Sequence, residues 1–201
     1  NGSGRTDSGV HAFKQSASFS SELNIKDKNK FINSINFFLN KHLISIIDIK
    51  KRNSDFHARF SAKKRIYKYV IVNRVGALSI DKNKGWLVKK KLNISLMKKG
   101  AKLLLGTHDF STFRSSSCSA KSPIRTLNRV IIKKSKDKIN LFFESKSFLQ
   151  QQVRSMVGSL KYLGQDKWTL KQFKKIKESK NRSKCAPPAP ASGLYLLEVK
   201  Y

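Results

Sequence analysis

The sequence predicts an α+β protein made of two similar halves, residues 1–55 and 56–201, and three observations carry that expectation. Helical and strand-type patterns occur on both sides of the stretch KRNSDFHARF at 51–60, which has mixed charge and no periodicity. One pair of strand-type runs, Leu127 to Lys134 and Ile139 to Glu144, is parted only by a turn and reads as a hairpin. Of 201 residues 39% are apolar, and the 13 Phe are spread along the chain, which suffices for a core.

Taken in order, a Gly-rich turn at residues 2–9 leads into a strand marked by Val10, Ala12, Ala17 and Phe19 at mostly two-residue spacing. Phe31, Ile35, Phe38 and Leu39 recur at helical spacing between Asp27 and Asn40, and the β-branched run from Leu43 to Ile49 reads as a strand. After the break, Ile66 to Val72 forms a long aromatic and β-branched strand. A helix capped by Asn93 or Ser95 runs through Met97, Ala101, Leu104 and Leu105 to Gly106, placed as a C-cap glycine.

Leu127 to Lys134 and Ile139 to Glu144, parted by Ser135-Lys136-Asp137-Lys138, predict a hairpin. Phe148, Gln152, Met156 and Leu160 lie four apart, with Val153, Val157 and Leu163 widening the stripe, so a mostly buried helix should run to Gly164. Leu170, Phe173 and Ile176 mark a shorter helix. Pro187, Pro188 and Pro190 then exclude helix before a closing strand from Leu194 to Tyr201.

Charge bounds the partner. The chain carries 43 Lys+Arg against 12 Asp+Glu, a formal net charge of +31. Such an excess repels itself unless an acidic polymer or counterions balance it, so nucleic acid is the expected partner. Arg59, Lys63, Lys64, Arg65 and Lys68 surround one strand, and Arg114, Lys121 and Arg125 flank a Ser-rich loop; both groups are expected to face RNA. No apolar run reaches the roughly 18 residues that a membrane span needs. Cys118 and Cys185 make no disulfide framework and no zinc motif, which fits reduced thiols in a cytosolic setting. The chain opens on Asn1 without an initiator Met, so its start is expected upstream.

The sharpest chemical feature is Gly4-Arg5-Thr6-Asp7-Ser8-Gly9-Val10-His11-Ala12. Two glycines allow close backbone approach, so Asp7 could stand at the lip of a cleft as a nucleophile. By composition alone an Asx-type turn that starts a strand is the commoner reading. Arg154 is unusual in its own right, because its helix is otherwise apolar for a turn either way; the alternative is an arginine at the helix edge reaching water. His11, His57 and His108 have no metal-ligand spacing and are expected to be structural or to face RNA. No Gly-rich dinucleotide-type loop supports a methyltransferase.

The GRTDSGVHA stretch resembles the signature of the TruA family of tRNA pseudouridine synthases, commonly GRTDAGVHA, with only Ser8 departing. Further blocks are similar in the same order: FHARFSA at 56–62, the RxYxYxIxN strand at 65–73, HDFSTFR at 108–114, FLQQQVRSMVGSL at 148–160 and a terminal APxxGLYLxEVxY. The resemblance covers essentially the whole chain. It implies two ferredoxin-like halves with an extended antiparallel sheet and a central cleft.

The resemblance implies Asp7 as the catalytic carboxylate, Arg154 as its ionic partner, Arg5 in the space of the flipped nucleotide and Tyr67 as the active-site tyrosine. It further implies conversion of uridine to pseudouridine at positions 38, 39 and/or 40 of the tRNA anticodon stem-loop, without metal or organic cofactor, by a cytoplasmic homodimer. About 50 residues, the length range of one split βα unit, would precede the motif in relatives. The rival reading is a non-catalytic basic RNA-binding protein, which accounts for the charge but not for Asp7.

Overall fold

One sheet organises the computed structural model, which describes residues 1–201. Its strands are β1 (His11–Ala12), β2 (Lys64–Val72), β3 (Trp86–Leu87), β4 (Gly106–Asp109), β5 (Ile124–Ser135), β6 (Lys138–Ser145) and β7 (Leu194–Lys200). They lie in the order β1-β7-β2-β6-β5-β4, with β3 parallel to the end of β2. The pairings among β2, β4, β5, β6 and β7 are antiparallel, whereas β1 runs parallel to β7.

Four helices complete the chain: α1 (Lys28–Leu39), α2 (Ile94–Lys102), α3 (Gln152–Gly164) and α4 (Leu170–Glu178). Their starts follow local chemistry. Asp27, Asn93 and Thr169 each accept from the backbone N–H three residues on, and Thr169 with Gln172 forms a full capping box. The β5–β6 hairpin turns where the alternation predicts, with Lys136 at φ 53.

Alternation along β2 sends Tyr69 and Ile71 into the core, where they join Leu141 and Phe143 of β6, Val130 and Ile132 of β5, and Met156, Leu160 and Leu163 of α3. Each such side chain contributes about 1.5–3 kcal/mol on burial. The opposite face of the sheet has no helix over it and shows Ile66, Phe142 and Leu197, all half-buried.

Several expectations need correction. The strand expected over residues 10–19 is only His11–Ala12, because the chain folds back at once and pairs Gly2 with Ala17 in an isolated bridge. Leu43–Ile49 is not a strand: the Asn36 amide donates to Ile46 O at 2.9 Å and accepts from Ile46 N at 2.7 Å, occupying the groups a neighbouring strand would need. The second helix ends at Lys102, and Gly106, at φ +93, opens β4 instead of capping the helix. α3 starts at Gln152 and not at Phe148, because Gln151 adopts φ 59.

Burial is uneven. Within residues 1–63 only Ser3, Ala58 and Ala62 are buried, and α1 buries none of its residues; Phe38, expected on its apolar stripe, is 72% exposed.

Candidate active site

The loop carrying Asp7 is fixed at its base by Ser3, which is 1% exposed. Ser3 N–H donates to Ser16 O at 2.8 Å, its hydroxyl donates to Gln15 Oε1, and Gln15 Nε2 donates to Gly4 O at 3.3 Å. Beyond Asp7 the chain turns tightly, Val10 N–H donating to Asp7 O at 3.1 Å. Gly9 sits at φ +80, which side chains other than glycine disfavour, and a Cβ there would stand 3.5 Å from Ala191. His11 and Ala12 then pair with Tyr195 and Leu196, and the His11 ring stacks on Tyr195 at 4.7 Å. The strand made by the end of the sequence thus seats the loop made by its beginning.

α3 presents the opposing charge. A Cβ at Gly158 would lie 2.1 Å from Pro187 O, so only glycine lets the helix approach the proline segment this closely. Arg154 Nε donates to Ala189 O at 2.7 Å and Ala189 N–H donates to Arg154 O at 3.0 Å. Tyr69 Oη donates to Pro190 O at 2.7 Å. Held in this way, Arg154 Nη1 meets Asp7 Oδ2 at 2.5 Å, with side-chain exposures of 15% and 29% respectively. The arginine does not reach out to water. The contact is a partly desolvated, charge-assisted hydrogen bond between a guanidinium and a carboxylate.

Tyr67 projects from β2 beside this pair, its ring edge-on to Phe148 at 5.2 Å. Burial pushes its phenol pKa up, Arg65 opposes the shift, and the Asp7 charge adds to it. The hydroxyl is therefore protonated at neutral pH and makes no hydrogen bond within the chain. Sequence spacing puts Tyr67 and Tyr69 on one face, and the structure separates them: Tyr69 is wholly buried with its hydroxyl committed to Pro190, whereas Tyr67 keeps a free donor. Arg5 lies on the same loop as Asp7, exposed, without hydrogen bond or ion pair. Asp7, Arg154 and Tyr67 are brought together, and Arg5 stands at the rim.

Arg65 was expected on the RNA-facing surface and is instead 8% exposed, its guanidinium bonded to backbone carbonyls inside. The signal was present in the sequence, since Arg65 and Tyr67 are two apart on one strand and share its inward face. Lys64 is tied to Glu144 at 2.7 Å. The histidines have backbone partners: His11 Nε2 with Asn83 O at 2.8 Å, His108 Nε2 with Leu105 O at 2.7 Å, and His57 Nδ1 accepting from Arg59 N at 3.1 Å. A cavity of about 500 Å³ beside α4, lined by Trp168, Gln172, Lys175 and Lys184 among others, contains none of the three convergent residues. Charge pairing on a rigid helix is a better guide to chemistry here than cavity size.

The profile of a protein family described as tRNA pseudouridine synthase matches residues 101–201. Over 200 residues the chain is 59% identical to the tRNA pseudouridine synthase A of Pelagibacter ubique (strain HTCC1062), covering all of this chain and 81% of that protein. It is 42% identical over 200 residues to the protein of that name from Parvibaculum lavamentivorans, again covering all of this chain and 81% of the relative. The protein of the same name from Maricaulis maris is 41% identical over 200 residues, with all of this chain and 80% of that protein covered.

Proposed function

The chain belongs to the tRNA pseudouridine synthase A family, an isomerase family that converts uridine to pseudouridine, and from that premise we propose that it isomerises uridines at positions 38, 39 and/or 40 of the tRNA anticodon stem-loop. The observation that carries this reading is the Asp7–Arg154 pair at 2.5 Å with the unpaired Tyr67 hydroxyl beside it.

The reaction breaks the ribose C1′–N1 bond, turns the uracil and forms C1′–C5; C5 loses a proton and N1 gains one, so no oxidant or reductant is required. Asp7, hydrogen-bonded to Arg154, supplies the carboxylate, whether by attack at C1′, by assisting a glycal-type intermediate or by addition to C6 of the base. The Tyr67 ring offers the freed uracil a flat wall, and its protonated hydroxyl offers a donor to a carbonyl of the base. In this reading Arg5, exposed on the Asp7 loop, enters the space a flipped nucleotide leaves. The +31 charge gathers the tRNA.

The same reading includes two ferredoxin-like halves, a cytoplasmic location and a homodimer. The strand-helix-strand-strand-helix-strand order of β2, α2, β5, β6, α3 and β7 supports the first for the second half. No helix is long and apolar enough to cross a membrane. The helix-free sheet face with Ile66, Phe142 and Leu197 supports contact with a second copy.

The test compares wild type with Asp7→Asn on a tRNA anticodon stem-loop, scoring pseudouridine by primer-extension stops after carbodiimide treatment. Wild type should form product, and Asp7→Asn should bind the RNA without forming any. Product formation by Asp7→Asn at the wild-type rate refutes the assignment, and binding without product in both proteins favours the RNA-binding module.

A further inference from the structure

Arg65 is a buried arginine with no carboxylate partner. Its Nε and Nη2 donate to Ser3 O at 3.2 and 2.7 Å, Nη2 also donates to Arg59 O at 2.8 Å, and Nη1 donates to Lys146 O at 2.5 Å. Burial lowers its pKa from the ordinary arginine value. Taking a guanidinium out of water without a counter-ion is costly, and four hydrogen bonds to carbonyls are what make it tolerable. A sequence that needed only a filled space there would use an apolar side chain.

The three carbonyls identify what the charge does. Ser3 is the base of the loop that carries Asp7. Arg59 lies in the turn that precedes β2. Lys146 is in the connection from β6 towards α3, whose first turn holds Arg154. Arg65 itself is two residues from Tyr67, on the same face of the same strand. One planar fork therefore ties together the segments that deliver Asp7, Arg154 and Tyr67, and only a guanidinium has enough donors in fixed directions to hold all three. A lysine in its place would carry the charge on one rotatable ammonium and lose the fork.

We propose that Arg65 is a positioning residue for the carboxylate, clamping the Asp7 loop at Ser3 to β2 and to the approach to α3. The proposal rests on the reading of Asp7 as the catalytic group. Misplacing a reacting group by an ångström costs about 10²-fold in rate. Arg65→Lys should thus lower kcat on the anticodon stem-loop by about 10²-fold while leaving KM and RNA affinity within about 2-fold, since Arg65 has no surface to offer RNA.

The test measures four things on the full chain for wild type, Arg65→Lys and Arg65→Ala: kcat, KM, the thermal unfolding midpoint, and hydrogen exchange of the peptide covering residues 1–10. Arg65→Lys, folded, should show the kcat loss together with faster exchange at residues 3–7, and guanidinium chloride at millimolar concentration should restore part of the activity of Arg65→Ala. Unchanged kcat in folded Arg65→Lys, a loss confined to KM, or unchanged exchange in the loop overturns the clamp. Asp7→Asn, assayed beside them, keeps the two ideas apart: if it turns over normally the catalytic reading fails, and if it is dead while Arg65→Lys is fully active only the clamp fails.

Discussion

Arg154 donates to Asp7 through Nη1 and to Ala189 O through Nε, so one guanidinium joins the loop at the start of the chain to the proline segment near its end. The ion pair is not a free surface contact: the orientation of Arg154 is set by the segment behind it, and Asp7 meets a donor that is already in place.

This arrangement separates charge from geometry. Arg154→Lys retains the cation but cannot serve both partners in the same plane, and should lose at least about 10-fold in kcat, whereas Arg154→Met leaves Asp7 without its cation and should lose about 10²-fold or more. Single-turnover rates on an anticodon stem-loop check both, with RNA affinity measured alongside.

Gly158→Ala tests the seat of Arg154. The new methyl would fall 2.1 Å from the Pro187 carbonyl, which is backbone and cannot rotate away, so helix and proline segment must part. We expect a loss of about 1–3 kcal/mol in denaturant unfolding, with reduced kcat in the protein that remains folded. Gly76→Ala, where the nearest atom to the new methyl is the flexible Arg74 side chain at 4.0 Å, should show neither effect and serves as control.

Alkaline pH should destabilise the fold through its tyrosines. Burial raises the phenol pKa of Tyr67, Tyr69 and Tyr195 above the ordinary value of 10.0. A group whose folded pKa is raised binds its proton more tightly in the folded state, so its contribution is complete below about pH 10 and is lost as pH climbs towards the folded value. The thermal midpoint should fall above about pH 10, and phenolate absorbance from the buried Tyr69 should appear only with unfolding. Tyr69→Phe should blunt the fall while losing the bond to Pro190.

RNA binding should depend steeply on salt. If about six phosphates are neutralised, the log-log slope of affinity against salt concentration is about −4 on a single strand. Fluorescence anisotropy of a labelled stem-loop across a salt series measures it. Asp7→Asn should leave the slope unchanged, because that carboxylate already faces Arg154.

Much of this was legible in the sequence where local chemistry and tertiary packing agree. The spacing of Leu170, Phe173 and Ile176 announces α4, Asn93 announces α2, and the alternation on either side of Lys136 and Asp137 announces the hairpin. Leu43–Ile49 misled because β-branched residues favour a pleated surface only where a neighbouring strand exists, and Asn36 takes that role at Ile46. Trp86–Leu87 and Gly106–Asp109 are too short to show periodicity and are strands only through their partners. The Asp7–Arg154 pairing came from resemblance, since no local pattern reports a contact across the chain. Arg65 was misread because composition assigns charge to surfaces, and its three carbonyl partners are visible only in the folded chain.

Asp7 and Arg154 are 147 positions apart, and β1 is held by β7 at the very end of the sequence. Contacts of that separation close the largest loops in the chain and are among the most demanding in chain entropy. Asp7 must therefore wait for α3 before it has a cation and for β7 before β1 has a partner. A chain interrupted anywhere before residue 195 would carry the basic charge that attracts RNA without an assembled centre to act on it.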